Sequence, residues 1–366
     1  MAEVVQSPTN GGSKINMTAF TTTLTKNRLP APTPGMISSR NHLIEPSYQG
    51  TGITTDLRNR ATVISLFSGC GGLDLGFVGG FDFLGTHYEK TQLDIVWANE
   101  INAAACRTYR KNIGNHLIEG DVWDALPTVP GNADAVIGGF PCQDISVNGK
   151  GAGVDGKRSG LYRAMVEVVD RVRPKIFVAE NVKGLIMRHN ETSLRRILKD
   201  FAEKGYTVSH RLYQAADYGV PQTRERVFIV GTRSDVPEFI HPEPVCTTHI
   251  SAKEAIGDLE HLERTEEFNH IWSRASKSAE QGNRKLIAER PGYTIRAECH
   301  GNIQFHYSLP RRISMREAAR FQSFPDNYLF DAKLRETERQ VGNAVPPVLA
   351  WHIAKAVELV LDGCQP

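Results

Sequence analysis

The chain has no long hydrophobic run: nowhere in its 366 residues do apolar side chains approach the ~18 in succession that a membrane span requires. The first thirty residues also lack the short apolar block of a secretory signal, so the expected location is the cytoplasm, beside the nucleoid. Cysteine is sparse and scattered. The six residues Cys70, Cys106, Cys142, Cys246, Cys299 and Cys364 form no Cys-x-x-Cys pair and no zinc-type spacing with histidine, which argues against a disulfide framework and against a structural metal. A large excess of charge of one sign is missing too: 43 Lys and Arg stand against 41 Asp and Glu. A formal net charge of +2 is permissive for nucleic acid, since such binding needs only a local basic surface. No internal repeat is apparent. What the chain does have is 40% hydrophobic residues, enough to fill one large domain or a large one with a smaller companion.

Residues 1–58 are rich in Ser, Thr, Asn, Pro and Gly, with stretches such as Pro30-Ala31-Pro32-Thr33-Pro34-Gly35 that fit neither a helical nor a strand period, and read as a flexible arm. From Thr62 short β-branched runs alternate with amphipathic stretches, the pattern of a doubly wound α/β fold with a mostly parallel, Rossmann-like sheet. Strands are expected at 62–67, 94–98, 133–138, 175–179, 207–213 and 227–231. Helical spacing recurs through Leu161, Met165, Val168, Val169 and Val172, and again through Leu194, Ile197, Leu198 and Phe201. Regular alternation stops after Gly231. Residues 241–311 are polar and loop-rich and read as a second, smaller domain, while 59–240 and 312–366 form the main one, with helices expected at 314–324 and 348–361.

The first strand runs into Leu66-Phe67-Ser68-Gly69-Cys70-Gly71-Gly72-Leu73-Asp74, where glycines let the backbone turn tightly and approach a cofactor. The second ends in Asn99-Glu100, whose carboxylate is placed to accept from two ribose hydroxyls, and Gly120-Asp121 follows where a third strand should end. These sites describe a pocket for an adenosine-containing cofactor and leave open whether it is NAD or S-adenosylmethionine. A fourth strand leads into Gly138-Gly139-Phe140-Pro141-Cys142-Gln143, setting a thiol at the carboxyl edge of the sheet, where a thiolate beside cations is a strong nucleophile. The next strand brings Ala179-Glu180-Asn181-Val182 to the same edge, and Gln222-Thr223-Arg224-Glu225-Arg226 adds two guanidinium groups.

These elements resemble, in order, the conserved blocks of the DNA cytosine-5 methyltransferases. Two later stretches join them, Arg316-Glu317-Ala318-Ala319-Arg320-Phe321-Gln322-Ser323-Phe324-Pro325-Asp326 and Gly342-Asn343-Ala344-Val345-Pro346, so that the set covers nearly everything after the arm. The resemblance implies S-adenosylmethionine as methyl donor, cytosine in duplex DNA as substrate, and a cleft between the catalytic domain and a target-recognition domain at 241–311. It implies Cys142 as the nucleophile that attacks C6 of a flipped-out base, Glu180 as the partner of N3 and the exocyclic amine, Arg226 at O2 and Arg224 ordering the site. For the cofactor it implies Phe67, Ser68, Gly69, Gly71, Gly72 and Leu73 from the first block, with Glu100, Ile101, Asp121, Val122, Pro141, Asn343 and Ala344 around them. The glycine-rich segment 146–161, with Ser146, Lys150 and Arg158, resembles the mobile loop that closes on DNA. Between Arg264 and Arg296 seven basic residues stand against four acidic ones, and Arg274, Arg284 and Arg296 are the expected DNA contacts there.

Three other readings compete. A dinucleotide-dependent oxidoreductase would use the glycine turn and Glu100 but leaves Phe140-Pro141-Cys142 and the paired arginines without a task. An RNA cytosine methyltransferase would share every motif. A catalytically silent relative would not be expected to keep thiol, carboxyl and arginines together. No large regulatory domain is legible beside the blocks, which makes a monomeric bacterial restriction–modification enzyme the expected setting, its cognate endonuclease acting on the same site without binding this chain.

Overall fold

The computed structural model describes residues 60–141, 160–274, 284–297 and 304–363. Contacts divide the chain after Thr54, and every described residue belongs to the unit Thr55–Pro366. The arm expected at 1–58 lies outside the described residues.

The β-branched runs form strands where the sequence places them: β1 (Ala61–Leu66), then, after the helix α1 (Gly72–Val78) and a short hairpin of β2 (Phe81–Phe83) and β3 (Thr86–Tyr88), β4 (Leu93–Glu100). Helix α2 (Ala103–Asn112), β5 (Leu117–Glu119), the single turn α3 (Val122–Ala125), β6 (Ala135–Gly138), α4 (Gly160–Val172), β7 (Ile176–Val182) and α5 (Glu191–Ala202) follow. The sheet is completed by β8 (Tyr206–Gln214) and β10 (Glu225–Arg233), with the two-residue β9 (Gln222–Thr223) between them.

Seven strands pair in the order β5-β4-β1-β6-β7-β10-β8. All neighbours from β5 to β7 are parallel, and β10 alone runs against both of its neighbours. The chain winds outward from β1 through β4 to β5, then resumes at β6 on the other side of β1. The order therefore reverses at β1, and the carboxyl ends of β1 and β6 border the crevice that open α/β sheets offer to ligands. Because β10 is antiparallel, its amino end, with Glu225 and Arg226, reaches that same edge.

Alternation with period two separates the strand side chains onto two faces. Val63, Ile95, Ile137, Val178 and Phe228 pack with Phe77 and Tyr109 on one face, under the last helix, α9 (Pro347–Asp362). On the other face Ile64, Trp97, Val136, Phe177 and Ile229 pack under α4 and α5 through Met165, Val169, Ile197 and Phe201.

The segment 241–311 holds the short α6 (Ala252–Ile256) and β11 (Gly292–Tyr293), the latter pairing with β9. Its apolar residues Ala255, Ile256, Ile271, Leu286 and Ile295 share a core with Met315, Ala318, Ala319 and Phe321 of α7 (Met315–Phe321). That helix starts at a capping box: Ser314 Oγ accepts from Glu317 N, and the Glu317 carboxylate accepts from Ser314 N. The fold thus joins this segment to the main body through side-chain packing, with α8 (Leu334–Asn343) and α9 closing the chain.

Candidate active site

At the end of β1 the backbone turns through Phe67, a non-glycine residue held at φ 56°. Such a left-handed conformation costs on the order of 1 kcal/mol and persists only where neighbours fix it. Here Ser68 N donates to the Asn99 carbonyl at 2.9 Å, and Asn99 Nδ2 donates to the Ile118 and Gly120 carbonyls at 3.1 Å, so the ends of β1, β4 and β5 are stitched together. Glu100 sits at the rim. Its carboxylate accepts from Gly69 N at 2.9 Å and Asn102 N at 2.7 Å; burial pushes its pKa up, against the downward pull of those N–H groups.

Glycine at position 72 is required by close approach, because a Cβ there would overlap the Val345 carbonyl oxygen and press on Ala344. That contact brings the segment after α8 back onto the start of α1; Ala344 is buried there and Asn343 is exposed. Further along the rim Asp121 accepts from Trp123 N at 2.9 Å and starts α3, with Val122 buried behind it, while Ile101 is 67% exposed beside Glu100. Around Gly69 a side chain would meet nothing within 4 Å. A carboxylate, a second carboxyl group, an exposed aliphatic side chain and open space over a glycine are what a ribose and an adenine require, so the residues present fit an adenosine-containing cofactor. Leu73 is buried in α1 and supports the loop from below.

The turn after β6 is anchored by Asn181, a residue whose task is not evident from the sequence. Asn181 Nδ2 donates to the Phe140 carbonyl at 3.0 Å, and Asn181 Oδ1 accepts from Val182 N at 2.9 Å. Phe140 is buried, Pro141 is exposed, and Cys142 follows directly, outside the described residues together with Ser146, Lys150 and Arg158. Glu180 is 8% exposed, and Arg226 Nε lies 2.8 Å from its Oε1. Strand register produces this pair: Phe228 faces Glu180 and Arg226 faces Val182, so Arg226 lies diagonally across from Glu180 on the same face. Burial raises the Glu180 pKa, while Arg226 and then Arg224 pull it down. The carboxylate also explains Gly139, since a Cβ there would stand 2.9 Å from Glu180 Oε2.

Arg224 is wholly buried. It donates to the carbonyls of Ile295 at 2.9 Å, Gly342 at 2.8 Å and Ala344 at 3.0 Å, and burial drives its pKa well below the usual arginine value. It is a positioning residue, tying the 241–311 segment and the end of α8 to the sheet. Two buried glutamines help it. Gln222 Nε2 donates to the Phe321 carbonyl at 2.9 Å and to Gln322 Oε1 at 2.7 Å, its Oε1 accepts from Ile295 N at 2.8 Å, and Gln322 Nε2 donates to the Ala344 carbonyl. Both lie inside blocks that the sequence singles out, yet only their burial reveals their work.

Arg274, Arg284 and Arg296 are exposed on the 241–311 segment, away from the Glu180–Arg226 pair in sequence. Arg274 borders a pocket of about 580 Å³ with Lys285, Arg311, Arg312 and Trp272. Arg284 stacks 5.5 Å from the Tyr293 ring centroid, and the backbone at Arg296 packs against Gly342.

A doubly wound sheet with this strand order, a glycine loop after β1 and an acidic rim defines the Rossmann-like methyltransferase class. Solved structures agree on the fold: the Schizosaccharomyces pombe Dnmt2 methyltransferase superposes with TM-score 0.58 at 18% identity, covering 82% of this chain and 99% of that one. The Entamoeba histolytica methyltransferase EhMeth superposes with TM-score 0.63 at 14% identity, over 83% and 99%. In sequence, the model of the C-5 cytosine-specific DNA methylases matches residues 61–289 and 247–359. The type II methyltransferase M.NgoFVII of Neisseria gonorrhoeae is 36% identical over 82% of this chain and 87% of its own, and M.FnuDI of Fusobacterium nucleatum is 34% identical over 82% and 94%. The chain belongs to the C-5 cytosine-specific DNA methylase family and is a DNA cytosine-5-methyltransferase.

Proposed function

We propose that the protein transfers the methyl group of S-adenosylmethionine to C5 of a cytosine flipped out of a specific duplex sequence, with Cys142 as a transient covalent nucleophile. The observation that carries this reading is the buried Glu180–Arg226 pair standing beside the Gly139-Phe140-Pro141 turn that leads directly into Cys142. Cytosine C5 attacks poorly because the ring loses conjugation, so the Cys142 thiolate first adds to C6. The electron pair displaced from the ring gathers on N3 and O2. Glu180, whose burial favours its protonated form, donates to N3, and Arg226 holds O2. When bound, the cofactor would supply an electrophilic methyl group on a sulfonium, its S–CH3 bond breaking as C5 attacks and the neutral thioether remaining as the leaving group. Loss of the C5 proton to a base, with return of the N3 proton to Glu180, then restores the double bond as the Cys142 thiolate leaves C6.

Glu100 and Asp121 are the residues suited to hold ribose and adenine, with Phe67 against the ring and Arg224 keeping Asn343 and Ala344 in place. Reaching C6 requires the base to leave the duplex, and the segment containing Ser146, Lys150 and Arg158 is assigned to closing over it. Residues 241–311 are assigned to reading the target, with Arg274, Arg284 and Arg296 on the DNA. The names of the type II relatives support a restriction–modification role. In this reading the chain acts inside the cell as a monomer, on sites that a separate endonuclease also recognises.

The test is trapping with 5-fluorocytosine. Fluorine at C5 cannot leave as a cation, so the intermediate cannot decompose. Target DNA carrying it should give a complex with the full chain that survives denaturing electrophoresis only when S-adenosylmethionine is added, and none with Cys142→Ser. An adduct mapped to Cys70, Cys106 or Cys246, or no adduct at a site the protein does methylate, would overturn the covalent mechanism.

A further inference from the structure

Beneath the 67–71 loop lies a carboxyl group that the reaction above leaves unused. Asp74, in the first turn of α1, is wholly buried. Ser65 Oγ donates to its Oδ1 at 2.7 Å and the Tyr109 hydroxyl to its Oδ2 at 2.7 Å. The chain of polar groups continues at both ends: Ser65 Oγ is 2.9 Å from Ser68 Oγ, and the Tyr109 hydroxyl is 2.9 Å from His116 Nε2. Each hydroxyl has one proton. Since Ser65 and Tyr109 give theirs to the carboxylate, Ser68 donates to Ser65 and His116 Nε2–H donates to Tyr109. Ser68 carries this order into the loop itself, because its carbonyl accepts from Gly71 N at 2.9 Å and its N–H is held by Asn99. An ionised Asp74 thereby sets the donor direction along this chain, from Ser68 through Ser65 and from His116 through Tyr109.

The same hydroxyls would be satisfied by a neutral amide, so the charge itself needs a reason. No described cation faces it. Tyr109, Tyr328 and Cys70 surround it, and burial pushes all three pKa values up, keeping them neutral. Burial pushes that of His116 down. Glu100, on the other side of the loop, is itself acidic. A buried carboxylate without a countercharge is unfavourable, and burial pushes the Asp74 pKa up to about 6, against the hydrogen bonds from Tyr109 and Ser65. Both carboxyl oxygens nonetheless accept from hydroxyl donors, the arrangement that suits the ionised form.

We propose that Asp74 is a positioning residue whose negative charge, set under the glycine loop, favours the cationic sulfonium of S-adenosylmethionine over the uncharged thioether of S-adenosylhomocysteine. The proposal rests on the S-adenosylmethionine reading of the pocket. It gives the enzyme a reason to release product and rebind substrate: both ligands share adenine, ribose, ammonium and carboxylate, and they differ in one charge at sulfur.

The experiment is calorimetric titration of the full chain with each ligand from pH 5 to 8. The ratio of the two Kd values should favour S-adenosylmethionine on the order of tenfold more at pH 8 than at pH 5, the size of one charge–charge interaction across roughly 12 Å at an effective dielectric of roughly 20. In Asp74→Asn the ratio should be flat with pH, with S-adenosylhomocysteine bound nearly as in the native chain. Tyr109→Phe removes a hydrogen bond to the ionised form and should move the transition to higher pH. It carries the test by itself if Asp74→Asn shows no cooperative melting. A native chain that binds neither ligand overturns the cofactor reading. Binding of both with a ratio independent of pH, a transition that persists in Asp74→Asn and so belongs to Glu100, or an unmoved transition in Tyr109→Phe overturns the role of Asp74.

Discussion

Glu180 is enclosed by three constraints: the Arg226 guanidinium at 2.8 Å, the bare Cα of Gly139, and a strand register that fixes its face. Removing its proton-donating group should therefore leave the fold alone and strike the chemistry. In Glu180→Gln the methylation step, measured in a single turnover with saturating DNA and cofactor, should slow by about 10²-fold, the usual loss for acid catalysis and charge stabilisation. A change confined to KM would count against a role in the reacting complex. Residues like Glu180 are legible in sequence because their neighbours form a recognisable block. Arg224, Arg316 and Gln222 also lie in recognisable blocks, and Arg224 is expected to order the site, but their burial is not legible in the same way. Their side-chain types suggest solvent, whereas all three are fully buried, and Arg316 donates to the carbonyls of Phe268, Pro325 and Tyr328. Carbonyl acceptors carry no side-chain signature, so a sequence cannot point to them.

Among the elements, the inner strands were readable because their β-branched runs are long and bounded by turns. The β2–β3 hairpin has two strands of three residues, and α3 is a single turn; neither offers enough repeats for a period to emerge. Helix α2, with the sequence Ala-Ala-Ala-Cys-Arg-Thr-Tyr-Arg-Lys-Asn, buries mainly small or polar-tipped residues and shows no apolar stripe. The turn after β6 is the element on which the proposed mechanism most depends, since it leads into Cys142 and passes close to the Glu180 carboxylate. Gly139→Ala puts a methyl group 2.9 Å from Glu180 Oε2, tighter than unstrained contacts allow. The expected outcome is a chain with a melting temperature within a few degrees of native and methylation reduced by about tenfold or more, because Glu180 or the turn must shift by some tenths of an ångström. Native activity in that variant would mean the turn has slack and that Glu180 is not held against it.

For the whole molecule the question is how far recognition separates from chemistry. The 241–311 segment is pinned at several points: Arg224 to the Ile295 carbonyl, Gln222 to Ile295 N, Thr294 Oγ1 to the Thr223 carbonyl at 2.6 Å, and Arg316 to the Phe268 carbonyl. Most of these bonds end on backbone atoms of the segment, which any sequence can supply. What must be kept is the apolar set Ala255, Ile256, Ile271, Leu286 and Ile295 that packs on α7. The exposed cations are free of that constraint, Arg274 and Lys285 around a pocket whose other charged members are Arg311 and Arg312. Replacing residues 245–311 by the matching part of a relative, with those apolar positions retained, should therefore give a folded enzyme that methylates a different sequence. Sequencing that maps 5-methylcytosine in the DNA of an expressing host reads the result directly. An active chimera with the original target would assign base readout to another part of the chain. An active chimera whose target changes, but whose affinity for DNA falls less steeply with salt, would divide the segment further, into base contacts that specify and the Arg274–Lys285 face that engages phosphates, each lost phosphate contact lowering the slope by about 0.9.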